Sequence, residues 1–181
     1  MHLQSATLIV GSTALFYVTL FLLNGYLFAD FFYSPGLAWV FLPSGVRLIA
    51  VLLFDKWGAL GIFLGGVMLA FQDLGQNDPE ALIVAAGISG MAPLVARQIC
   101  LRWTDLDANL HALSPTGLLR TALIFSTTSV ALGQAWITYR GVSDGTPSTF
   151  LVLLFGDILG SVLVLYAAKV LLSLITRQRG G

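Results

Sequence analysis

The sequence predicts an all-α, polytopic membrane protein: a single bundle of six transmembrane helices, residues 1–181, with both termini in the cytoplasm. Three observations predict it. Of the residues, 57% are hydrophobic and 10% charged, and mean hydropathy is +0.88, whereas an ordinary soluble domain carries about 25% charged residues. Six apolar segments reach or approach the length a bilayer requires, roughly 17–25 residues: about 6–29, 37–54, 57–72, 81–100, 120–138 and 149–174. With both termini on one side, that side receives Lys56, Arg97, Arg102, Arg120, Lys169, Arg177 and Arg179, and the other only Arg140. Cytoplasmic loops collect basic residues, so that side is expected to be the cytoplasm.

The first segment follows MHLQSATLIVGS, which lacks a basic leader and a clear small-residue cleavage site. It is therefore expected to stay as a span rather than leave as a signal peptide. The second and third are separated only by Asp55 and Lys56, which predicts a tight helical hairpin. The stretches 30–36, 73–80 and 139–148 are rich in Gly, Pro, Asn, Asp and Ser and read as turns. The longest connection, 101–119, is expected to hold a short interfacial helix. Pro93 predicts a kink in the fourth span. Trp39, Trp57, Trp103, Trp136 and Tyr139 fall near the ends of spans, where aromatic side chains anchor helices at the interface.

Small residues recur at helical spacing: Gly61 with Gly65 in the third span, Gly156 with Gly160 in the sixth, Gly87 with Gly90 in the fourth. Membrane helices approach closely through such residues, so these are expected at helix contacts. The pattern serves packing within one chain and between copies equally, which leaves a homo-oligomer open.

The run FLPSGVRLIAVLLF, residues 41–54, carries Arg47 inside an apolar segment. An arginine at a helix centre costs about 2.5–3.5 kcal/mol on insertion scales and calls for a partner or a purpose. Arg47 lies ten residues inward from Leu37, about 15 Å deep at the helical rise, and Asp157 lies eight inward from Thr149, about 12 Å deep. They are the two charges in the middle of any span, opposite in sign and at matching depth, so they are expected to pair. Asp157, Gly160, Ser161 and Val164 share one face of the sixth span. Pro43 weakens the first turn of the second and frees carbonyls near the outer leaflet. Ser44 and Gly45 follow it, and Asn24, Gln72, Asp73 and Gln134 supply other polar groups in the outer half. Together they outline a cavity open to the outside. Two readings stay open: a ligand or ion site, or a buried salt bridge that fixes helix register.

Composition excludes several classes. Nine Lys and Arg balance nine Asp and Glu, which gives no argument for nucleic acid. The single cysteine, Cys100, excludes an internal disulfide. His2 and His111 are far apart and expected to be solvated, so no metal is called for. No Gly-x-Ser-x-Gly, phosphate loop or paired histidines are present, so neither an enzyme nor a cofactor is expected.

The run FLPSGVRLIAVLLFDKWGALGIFLGG, with FGDILGSVLVLYAAKVLL in the sixth span, resembles the MASE-type integral membrane sensor domain of the first class. The pattern falls on Pro43, Ser44 and Gly45, on Gly61 and Gly65, and on Gly156, Asp157 and Gly160, and covers about a third of the chain. Members usually carry further spans and precede a histidine kinase or diguanylate cyclase, whereas TRQRGG follows the sixth span here. Arg47 stands where the family would have an apolar residue. The resemblance implies a sensor-like or scaffold bundle of a bacterial inner membrane, seated in the lipid bilayer and acting through a separate signalling partner. Six spans, cytoplasmic termini and a polar cavity are also similar to the substrate-binding S-component of vitamin uptake transporters. Those dock through small residues of the first helix, which here would be Ala6, Val10 and Ala14.

Overall fold

The computed structural model describes residues 3–29, 32–34, 37–72, 78–103, 115–141 and 146–179. His2, Asp73, His111 and most of the 101–119 connection lie outside them, so the expectations placed there have no structural counterpart.

Six helices account for nearly all of the described chain. They are α1 (Leu3–Leu27), α2 (Pro43–Phe54), α3 (Lys56–Ala70), α4 (Pro79–Trp103), α5 (Pro115–Tyr139) and α6 (Pro147–Arg179). A short antiparallel ribbon, β1 (Phe32–Ser34) with β2 (Leu37–Ala38), links α1 to α2. Among the described residues, three helical stretches are long and apolar enough to cross a membrane: Gln4–Leu27, Pro79–Arg102 and Pro147–Ala168. Helices α2 and α3 are apolar but shorter.

Polarity is arranged as lipid requires. Large apolar side chains such as Leu8, Leu15, Phe16, Met91 and Tyr166 face outward. Much of the interior is small: Ala6, Ala14, Ala50, Ala59, Ala92, Ala96 and Ala122 are buried. With no hydrophobic drive separating helix from lipid, association rests on close van der Waals contact, which small residues permit.

Helix α3 lies between α1 and α4, α4 packs on α5, α5 on α6, and α6 on α2. Helix α2 is central, touching α1, α3, α4, α5 and α6, and most of its side chains are buried. Two apolar clusters hold it, Leu48 and Leu52 with Cys100 and Phe125 on one side, Val46 and Val51 with Tyr17 and Ile62 on the other.

The second apolar segment differs from its expected course. It was expected to be helical over 37–54, but the helix begins at Pro43. Proline suits a first helical position, where its missing N–H has no intrahelical partner in any case and its φ is already helical. Residues 37–38 instead pair with β1. Arg47 is thus on the second turn of a short helix, so the depth counted from Leu37 at helical rise does not apply. The α2–α3 connection is the single residue Asp55, at φ 50°. Its N–H bonds Val51 O, its C=O receives Ala59 N, and its carboxylate receives Arg97 Nη1 at 3.2 Å. A Cβ on Gly58 would run into the Ala50 backbone, which is what lets the hairpin close so tightly.

Candidate functional site

The glycine pairs of α3 and α6 serve two different kinds of contact, while of the third pair only Gly90 meets a neighbouring helix, at Ala59 O, and Gly87 meets nothing within 4 Å. On α3, a Cβ at Gly61 would lie 2.8 Å from Val10 O and one at Gly65 3.0 Å from Ala14 O, so this pair is the helix contact expected of it. The same contact takes Val10 and Ala14 of the small-residue stripe against α3, and Ala6 is buried. On α6, a Cβ at Gly156 would collide with Ala38 O, and one at Gly160 with Phe41 O. That pair, expected to receive a helix, receives the non-helical segment 38–42.

Backbone that leaves a helix inside a packed bundle needs partners from the protein for its polar groups. Phe41 N donates to Gly156 O at 3.1 Å, and Leu42 N donates to Asn24 Oδ1 at 2.8 Å. Phe41 O accepts Ser44 N at 3.1 Å, and Leu42 O accepts Gly45 N at 3.1 Å. Two of the carbonyls beside Pro43, those of Phe41 and Leu42, are therefore taken within the chain. Ser44 Oγ lies 2.7 Å from both Phe41 O and Asp157 O and 3.2 Å from Ser161 Oγ. Gly45 meets Val164 and Gly160 of α6. Ser44, Gly45 and Ser161 thus form the joint between α2 and α6, and Pro43 is buried beside them in sequence.

One turn further along α2, Arg47 reaches Asp157. Its Nη2 lies 3.0 Å from Oδ2 and 3.2 Å from Oδ1, with the two residues 8% and 5% exposed. The guanidinium carbon sits 5.5 Å from the ring centres of both Phe41 and Phe125, an attraction worth about 2 kcal/mol or more per ring where water is excluded.

The pair forms part of the wall of a cavity of about 230 Å³. Tyr17 and Phe21 come to it from α1, Phe41 from segment 38–42, Ser89 from α4, Ser129, Gly133 and Gln134 from α5, and Leu153 from α6. Ser129, Val130, Gly133 and Gln134 share one broad face of α5. Several buried polar atoms here have no protein partner: Arg47 Nε, Ser129 Oγ, and both Nε2 and Oε1 of Gln134. Buried polar groups are nearly always paired, and each exception has a cost of about 1–3 kcal/mol. Gln134 is 9% exposed. Its carboxamide offers a donor and an acceptor side by side, and the charge pair adds no net charge.

Of the residues picked from the sequence, Arg47, Asp157 and Gln134 meet at the cavity. Asn24 is spent on Leu42 N, and Gln72 is exposed. Sequence reasoning missed Tyr17, Phe41, Ser89 and Ser129. Ser129 sits one turn before Gly133 and Gln134, and that polar, small-residue face in an apolar helix was the available signal. Nothing local marks Tyr17 or Phe41, whose roles depend on which helices meet. Among the described residues, no three His, Cys, Asp or Glu side chains converge as metal ligands. No family model, curated protein or solved structure matches this chain.

Proposed function

We propose that the chain is a membrane receptor for a small molecule, a sensor-like bundle that takes its ligand in the cavity beside Arg47 and Asp157 and acts through a separate signalling protein. The observation that carries this reading is the set of buried, unpartnered polar atoms on Arg47, Ser129 and Gln134 around that cavity. A salt bridge kept only for helix register would need none of them. The reading includes six crossings of a bacterial inner membrane with both termini cytoplasmic, supported by the one-sided distribution of basic residues. Helix α2, twelve residues long, measures about 18 Å, shorter than a hydrocarbon core of about 30 Å. The second crossing would then include the non-helical chain before Pro43. The resemblance to the sensor domain supports the signalling role. The S-component reading shares the polar cavity, but its docking stripe on α1 is met by α3 at Val10 and Ala14, which favours the sensor-like reading.

The test is a double-mutant cycle of Arg47→Ala and Asp157→Ala, read as thermal stability in detergent with and without a panel of small metabolites. A panel member is expected to stabilise wild type and neither single variant. If no metabolite shifts wild type and the double variant recovers what each single one loses, the pair is a structural lock and the receptor reading falls.

A further inference from the structure

The receptor reading leaves the ligand's chemistry open, and the walls of the cavity narrow it. Among the described residues that line it, Arg47 and Asp157 are the charged ones, and they already neutralise each other at 3.0 Å. An anion would have to draw Arg47 from Asp157, and a cation would have to draw Asp157 from Arg47. Either leaves a buried charge without its counterion, the costly outcome for any buried pair. The unpartnered groups on the α5 residues that line the cavity are neutral: the Ser129 hydroxyl and the Gln134 carboxamide, with both ends of the buried amide lacking a protein partner. Such an edge is complemented by another with one donor and one acceptor adjacent, as in a carboxamide, lactam or ureido group. The remaining wall is apolar, with Phe21 and Phe41 set edge to face at 5.9 Å and with Val130 and Leu153 nearby. A volume of about 230 Å³ lies below the roughly 300–1,000 Å³ of sites for drug-sized molecules. Gly133 keeps the α5 wall open, since a Cβ there would meet nothing within 4 Å.

We infer that the cavity selects a net-neutral small molecule with an amide-like donor–acceptor edge, read by Gln134 and Ser129, on a compact aromatic or apolar body. This rests on the receptor reading and adds the ligand class to it.

Four probes of nearly one shape test it: benzamide (neutral, with the edge), benzoate (anion), benzamidine (cation) and toluene (no polar edge). Binding is measured by thermal shift and calorimetry on the full chain in detergent. Benzamide is expected to bind and raise the melting temperature, and the other three to do so at least about tenfold more weakly. Gln134→Met is expected to lose benzamide binding by at least about tenfold, while its ligand-free melting temperature holds or rises because an unpaired buried amide is gone. Gly133→Leu fills the same space, leaves Gln134 in place, and is expected to abolish the shift should Gln134→Met fail to fold. Benzoate or benzamidine binding better than benzamide overturns the neutral class and leaves the receptor reading standing. Toluene binding as well as benzamide, or benzamide binding unchanged in Gln134→Met, overturns the role of the edge. If all four are silent, the metabolite panel decides: a charged or edge-free hit overturns this inference alone, an amide-edged hit supports it, and no hit overturns both readings.

Discussion

Gly160→Ala isolates the contact on which the whole arrangement depends. In a helix interior the change from Gly to Ala alone contributes up to about 1 kcal/mol of stability. At Gly160 the new methyl would enter Phe41 O and lie 2.9 Å from Leu42 N. These are backbone atoms, with no rotamer through which to retreat, so segment 38–42 must lift from α6. Overpacking of this kind costs about 1–3 kcal/mol. Weakening the Phe41 N to Gly156 O bond adds about 1 kcal/mol. The net expectation is a loss of about 1–3 kcal/mol. Gly11→Ala on α1 is the control, because a Cβ there meets nothing within 4 Å and only the propensity gain remains. The two variants are expected to melt roughly 5–15 °C apart, followed by thermal unfolding in one detergent under one set of conditions. Equal stability would show that segment 38–42 is not seated on the α6 glycines, and the account of the site's outer wall would go with it.

Asn24→Ala leaves the Leu42 N–H without its acceptor in a water-poor setting, and a loss of about 1–3 kcal/mol is expected in the same unfolding assay. Ser44→Ala removes the hydroxyl that ties the start of α2 to Asp157 O; about 1–2 kcal/mol should be lost, and any panel ligand should bind more weakly as the joint loosens. At the exposed end of α4, Arg140 at 2.7 Å and the Glu80 N–H hold the Asp78 carboxyl below its ordinary value of 3.8. A depressed folded value stabilises above the unfolded value and loses that contribution as pH falls through the folded one. Wild type should therefore lose stability relative to Asp78→Asn as pH drops below about 3.8, with a smaller difference at high salt.

Much of the bundle was legible because lipid imposes a simple grammar. Apolar length marked α1, α3, α4, α5 and α6 to within a few residues, and caps or prolines moved the ends only slightly. The second segment was misjudged because hydropathy measures transfer, not conformation. WVFLP is apolar enough for a span, yet Pro43 sets the helix start and the residues before it find partners in Asn24 and Gly156, neither of them local. The α6 glycines show the same gap. Spacing identified Gly156 and Gly160 as a place of close approach, but nothing in their neighbourhood says whether a helix or a non-helical segment comes near.

The sequence by itself determined a membrane-type composition, the hairpin at Asp55, and the need for Arg47 to find a partner, since a lone intramembrane charge is costly and Asp157 is its one counterpart within a span. The tertiary structure alone decided the site. Tyr17 on α1, Phe41 before α2, and Ser129 with Gln134 on α5 share a cavity only because α2 is drawn into the centre, with its non-helical lead lying across two glycines of α6. That convergence is a property of long-range packing. Periodicity records which face of a helix is apolar, while the identity of the face it meets is written in the contacts between helices.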